Sequence, residues 1–220
     1  MLPIDVRVFI QARMNSSRYP GKVLAPLFGR PVVDHVTDAC AEVVGKENVV
    51  VLTSTEVSDD PLWSYMTHRG ISVFRGDLDD VFERFLAALE PYPCTWMVRI
   101  CADSPVIDNG IIRAALAAAA DGDYDIVTNT FPRSFPRGQS VEVVRTKIFR
   151  AIDPSTLDAA EREHVTKVFY NRADAYTILN LVAEAPTNME PGLSLDTFED
   201  YRYLASLTEI PRFPVAGKKK

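Results

Sequence analysis

The chain has 220 residues, 47% of them hydrophobic and 25% charged, with a formal net charge of −6. That length suits one domain built on a single sizeable core. The acidic balance argues against a nucleic-acid binder with a broad basic surface, and no apolar run approaches the roughly 20 residues of a membrane span. The first residues lack a basic region followed by a long apolar core, so no secretory leader is expected. Cys40, Cys94 and Cys101 show no C-x-x-C spacing and are expected to be free thiols in a reducing cytoplasm.

Residues 6–10 form an apolar run that predicts a first strand. Residues 32–44 carry apolar side chains at helical spacing, and Gly45 is placed to end the helix. Residues 48–53 predict a buried parallel strand. Ser58-Asp59-Asp60-Pro61 is a helix start with proline in the first turn. A third strand is predicted over 71–74 and a fourth over 95–101. Between them, residues 77–89 predict a helix with Val81, Phe82, Phe85, Leu86 and Leu89 on one face. An alanine-rich helix over 111–120 and a strand over 124–128 follow. This alternation predicts an α/β fold with a doubly wound, mostly parallel sheet. Beyond it the pattern changes. Residues 131–138 read as a loop, 140–144 alternate like a half-buried strand, and helices are expected near 145–152 and 158–171. The expected organisation is one domain over 1–210. Within it, 131–190 is a small α+β insertion over the sheet, building an acceptor site or a dimer contact, and 211–220 is a frayed tail.

The segment Gln11-Ala12-Arg13-Met14-Asn15-Ser16-Ser17-Arg18-Tyr19-Pro20-Gly21-Lys22 follows the first strand directly. In an open α/β sheet, ligands bind beyond the carboxyl ends of the strands. Arg13, Arg18 and Lys22 put three cations there, and Ser16, Ser17 and Gly21 allow close backbone approach. The combination suits a polyphosphate, with a solvated basic loop as the alternative. It is not the Walker pattern, because Val23 follows Gly21-Lys22. The dinucleotide pattern G-x-G-x-x-G is absent, which argues against a dehydrogenase.

Asp103 follows the fourth strand in Ala102-Asp103-Ser104-Pro105, and Asp196 stands in Leu195-Asp196-Thr197-Phe198-Glu199-Asp200. Each sits where a carboxylate could cap a helix, while Mg²⁺ is commonly held by one or two carboxylates. Asp108 and Asp200 are expected to cap helices. Arg75 and Gly76 follow the third strand. They offer planar hydrogen bonding and close approach to a nucleotide, while Asp77, Asp79 and Asp80 suit the first turn of the next helix. Glu161 and His164 lie three apart, so on the predicted helix they share a face. They read as a metal or acid–base pair, or as an ordinary surface pair.

Several of these segments resemble, in order, the blocks of the nucleotide-sugar cytidylyltransferases, in particular the spore-coat polysaccharide (SpsF-type) branch. The opening segment resembles that family's Q-A-R-x-x-S-x-R-x-P-G-K signature. Gly29-Arg30-Pro31-Val32-Val33-Asp34-His35-Val36 is similar to its second block, and Arg75 to Arg84 to its R-G-x-x-x-D-V-h-x-R block. Arg99 to Pro105 fits h-R-x-x-x-D-x-P, Glu161 to Thr166 fits E-R-E-H-V-T, and Asp196 to Asp200 fits h-D-T-x-E-D. Residues 135–143 resemble Y-P-x-G-x-x-V-E-V, with Gln139-Ser140 where Leu-Asp is commoner.

The resemblance implies a Rossmann-like fold of the nucleotide-diphospho-sugar transferase type, CTP as donor and Mg²⁺ as cofactor. It also implies a small acidic acceptor of the 2-keto-3-deoxy sugar type, release of pyrophosphate, and a homodimer serving surface polysaccharide synthesis. Gln11, Ala12, Arg13, Ser17, Arg18, Lys22, Arg75, Gly76 and Ala102 would bind nucleotide. Asp103 and Asp196 would hold the metal and, with Arg13 and Lys22, act in catalysis. Arg137, Glu142, Glu161 and His164 would meet the acceptor. A phosphonate or sugar-phosphate acceptor, or a nucleotide-binding module without turnover, are the alternatives.

Overall fold

The computed structural model describes residues 4–185 and 190–219. Its first half runs β1 (Val6–Gln11), a short hairpin β2 (Pro26–Leu27) and β3 (Arg30–Pro31), α1 (Val32–Val44), β4 (Val49–Ser54), α2 (Asp60–His68), β5 (Ser72–Gly76), α3 (Val81–Ala88) and β6 (Trp96–Cys101). The second half runs α4 (Asn109–Asp121), β7 (Ile126–Thr128), β8 (Glu142–Arg145), α5 (Thr146–Arg150), α6 (Ala159–Glu163), α7 (Lys167–Asn171), β9 (Ile178–Ala183), α8 (Phe198–Ala205) and β10 (Val215–Lys219).

Eight strands form one sheet in the order β10-β9-β7-β8-β6-β1-β4-β5. All pairs among β6, β1, β4 and β5 are parallel, and so is β7 with β9. β8 and β10 run against their neighbours. The mostly parallel doubly wound sheet expected from the sequence is therefore present. Both faces are covered. Val6, Val8 and Ile10 of β1 enter the core on one side with α1, α2 and α4, and Phe9 enters the other with α3, α5 and α7. This follows from the two-residue period of a strand. The chain moves outward from β1 to β4 and β5, then returns to place β6 on the other side of β1. That reversal opens a crevice at the carboxyl ends of β1 and β6, which is where open α/β sheets bind ligands.

Four expectations need correction. The stretch expected as an insertion over the sheet, 131–190, also supplies two strands of it, β8 and β9, with β8 wedged antiparallel between β6 and β7, while α5 and α7 pack on one face. Residues 215–219 are not a frayed tail: they form the edge strand β10, and the buried Asp108 carboxylate accepts the Phe213 N–H at 2.7 Å just before it. The helix expected over 77–89 begins only at Val81. Asp77 first accepts the N–H groups of Asp79 and Asp80 in a turn, and Asp80 then caps Glu83. Finally, the helix expected over 158–171 is broken into α6 and α7 around His164, with Val165 at φ 40°. That conformation is strained for a β-branched residue, at a cost of about 1–3 kcal/mol, and full burial of Val165 holds it.

Candidate active site

The turn after β1 is shaped from behind by Asp59. This wholly buried carboxylate accepts the Met14 N–H at 2.7 Å, the Ser54 N–H at 2.9 Å and the hydroxyls of Thr53 and Ser54. Burial works to raise the Asp59 pKa, but the Ser54 hydroxyl and then the two amides and Thr53 outweigh it and hold the group below its ordinary value. Asp59 reads from sequence as part of a helix start; its side chain caps no helix. At the far end of the turn, Gly21 takes φ 74°, where a side chain is strained, and launches a short helical turn that carries Lys22 inward.

Lys22 is the centre of the site. Its Nζ lies 2.7 Å from Asp103 Oδ2 and 2.9 Å from Asp196 Oδ1, and Arg18 reaches the same Asp196 oxygen at 3.0 Å. The two aspartates are 93 positions apart in sequence. Neither caps a helix. Asp108 caps α4, and Thr197 with Asp200 makes the capping box of α8, so Asp103 and Asp196 are left to face the cavity. Burial disfavours the charged form of Lys22, but Asp103 and Asp196 more than offset it and hold the ammonium above the ordinary lysine value. Burial likewise works to raise the Asp196 carboxyl, yet Lys22, Arg18 and Arg137 keep it below the ordinary range. Both groups are therefore charged at neutral pH.

Around Lys22 opens a cavity of about 290 Å³. Of the residues singled out in the sequence, Gln11, Ala12, Arg13, Ser17, Arg18, Lys22, Asp103, Asp196 and His164 line it. Arg99, Cys101 and Glu163 also line it and were not in the predicted site. Burial pushes the Cys101 thiol up to about 11, so it stays protonated. Arg99 could have been found from the h-R-x-x-x-D-x-P block. Its guanidinium donates to Glu142 at 2.6 Å on one side and to Gln11 Oε1 at 3.2 Å on the other.

The remaining predicted residues are placed elsewhere. Glu142 is buried under the floor, where it also accepts the Thr166 and Tyr170 hydroxyls. Glu161 closes the capping box of α6 and accepts from Asn171 and Arg172; of the Glu161–His164 pair, only His164 lines the cavity. Arg75 spends its guanidinium on the carbonyls of Ser54 and Glu56, on Asp60 at 2.8 Å and on the Trp63 ring. Gly76 leaves room for Arg84: a Cβ there would stand 2.9 Å from Arg84 Cγ. Ala102 is buried in the backbone ladder, its N–H on the Gln11 carbonyl. Arg137 is exposed and pairs with Glu190 at 3.6 Å. The unusual Gln139 is fully buried, bonded to the Asp108 N–H and the Val106 carbonyl. It supports the loop and does not contact the cavity.

Two carboxylates that converge on one point and cap no helix suit a hard divalent cation. Such an ion takes one or two carboxylates and completes its shell with phosphate oxygens and water. A cation-lined crevice of this kind at the reversal point of a doubly wound sheet suits the phosphates of a nucleotide. A family model described as cytidylyltransferase matches residues 7–210, and the chain belongs to that family. It is 32% identical to the spore coat polysaccharide biosynthesis protein SpsF of Bacillus subtilis over 92% of this chain and 86% of that one. It is 35% identical to a 3-deoxy-manno-octulosonate cytidylyltransferase of Mesorhizobium japonicum over 55% of this chain and 50% of that one. The solved structure of a cytidylyltransferase from Leptospira borgpetersenii superposes with a TM-score of 0.85 at 30% identity, covering 92% of this chain and 85% of that one.

Proposed function

We propose that the protein transfers CMP from CTP to an acidic sugar in a reaction that depends on Mg²⁺, with release of pyrophosphate. The observation that carries this reading is the convergence of Asp103 and Asp196 on Lys22 Nζ, at 2.7 and 2.9 Å, beside Arg13 and Arg18. The acceptor hydroxyl oxygen forms a bond to the α-phosphorus and gives its proton up to solvent water, and the bond from that phosphorus to the bridging oxygen breaks, its electron pair leaving on pyrophosphate. Arg13, Arg18 and Lys22 neutralise the triphosphate and the departing pyrophosphate, which is where cations lower the barrier most. Asp103 and Asp196 would hold the divalent cation, which when bound supplies further charge neutralisation at the phosphates. Gln11, fixed by Arg99, orients the donor from the floor. His164, which lines the cavity, would meet the acceptor, and Arg137, whose charge acts on Asp196 from outside the cavity, would meet its carboxylate. Support for a sugar acid comes from the likeness to the octulosonate enzyme.

The test is pyrophosphate release with CTP, UTP, ATP and GTP in the presence of Mg²⁺, against a panel of 2-keto-3-deoxy sugar acids, sugar phosphates and phosphonates. Release with CTP and a sugar acid alone is the expected result. Release with a sugar phosphate or phosphonate would discard the acceptor class, and release with another nucleotide would discard the donor.

A further inference from the structure

We propose that Lys22 is a built-in competitor of the divalent cation: its ammonium stands between Asp103 and Asp196 until a triphosphate draws it away, so cation and nucleotide enter together. The proposal rests on the reading of these aspartates as the cation-binding pair. One ammonium nitrogen serves both carboxylates, at 2.7 and 2.9 Å, and its side chain is only 10% exposed. It is thus held by these two partners rather than by bulk water. The local charge is also balanced. Two carboxylates face Lys22 and Arg18, the latter 3.0 Å from the Asp196 oxygen that Lys22 already uses. A dication approaching that set meets no net negative field and must break charge-assisted hydrogen bonds to gain its ligands. Both carboxylates that would ligate the ion are engaged by Lys22, so the ion must displace the ammonium to gain them.

A triphosphate changes the balance. It brings several negative charges into the same cavity, lined by Arg13, Ser16 and Ser17, and gives Lys22 and Arg18 a competing partner. Only the side chain has to move. The backbone at Lys22 is fixed by the Leu24 N–H on the Gly21 carbonyl and the Ala25 N–H on the Lys22 carbonyl. Each ligand therefore raises the affinity for the other by the same factor.

The experiment is a Mn²⁺ titration of the nucleotide-free protein, followed by electron paramagnetic resonance, on the wild type, Lys22→Met, Lys22→Arg and Asp103→Asn. Wild type, Lys22→Arg and Asp103→Asn are expected to bind Mn²⁺ weakly and alike. Lys22→Met is expected to bind one ion about tenfold tighter or more. Equal affinity in wild type and a cooperatively melting Lys22→Met overturns the proposal. A Mn²⁺ site in the wild type that Asp103→Asn loses overturns it as well, and that comparison decides the matter should Lys22→Met not fold. Either failure, with CTP turnover abolished in Asp103→Asn, would leave the proposed function standing. Normal CTP turnover in Asp103→Asn would remove the function reading instead.

Discussion

Asp103→Asn is expected to turn CTP over about 10³-fold more slowly than the wild type. It is expected to melt within a few degrees of it. The carboxylate caps no helix, and Lys22 is its one hydrogen-bond partner among the described residues. Its main-chain carbonyl, which accepts the Leu195 N–H at 2.7 Å, is untouched by the change. Lys22 keeps Asp196 at 2.9 Å, so no ammonium is left buried without a counter-charge. Asparagine preserves shape and removes charge, so the loss falls on the chemistry. Steady-state pyrophosphate release and a thermal melt separate the two effects. A variant that turns over normally would mean that this carboxylate does not serve the reaction. One that melts far lower would mean that it serves the fold.

Glu142→Leu is expected to show the opposite balance. Arg99 and Glu142 pair at 2.6 Å with side chains 13% and 4% exposed. Removing Glu142 leaves a guanidinium in the interior with no counter-charge, a loss of about 3–5 kcal/mol. In a domain of this size that corresponds to a drop in melting temperature of roughly 10 °C. The double variant Arg99→Met/Glu142→Leu removes both charges and is expected to recover about half of the loss, the coupling being read from the thermodynamic cycle. Turnover falls too, because the Arg99 contact fixes Gln11 in the cavity. A single variant that melts with the wild type would contradict the burial of this pair. The same carboxylate accepts from Thr166, two residues after His164, so it ties the floor of the cavity to the wall that carries His164.

The parts of this molecule that were legible in its sequence are those fixed by local chemistry. The helix Val32–Val44 has its bounds written in its apolar spacing and in Gly45. Strands β1, β4 and β6 are continuous apolar runs because both faces of the sheet are covered. That Arg13, Arg18 and Lys22 of the opening loop share a cavity with Asp103 and Asp196 was legible through the cations and the family blocks. What escaped was non-local. That β8 runs antiparallel between β6 and β7 depends on pairings 43–49 positions apart with β6 and 14–18 apart with β7, which no local pattern carries. The helix break at Val165 runs against local propensity and is imposed by burial. Arg75 offers the same guanidinium to a nucleotide or to Ser54, Glu56 and Asp60, and only the fold decides which. Asp59 was disguised by a good helix-start sequence, although its side chain holds the loop after β1.

CTP and its cation are expected to meet at the Asp103–Lys22–Asp196 cluster. The most direct measurement is a crystal structure with CTP and Mn²⁺, with anomalous scattering collected at the manganese edge. The expected result is a manganese peak bound by both Asp103 and Asp196, with the Lys22 ammonium moved onto a phosphate. A peak away from these carboxylates, or a triphosphate lying outside the cavity of Arg13 and Arg18, would contradict it.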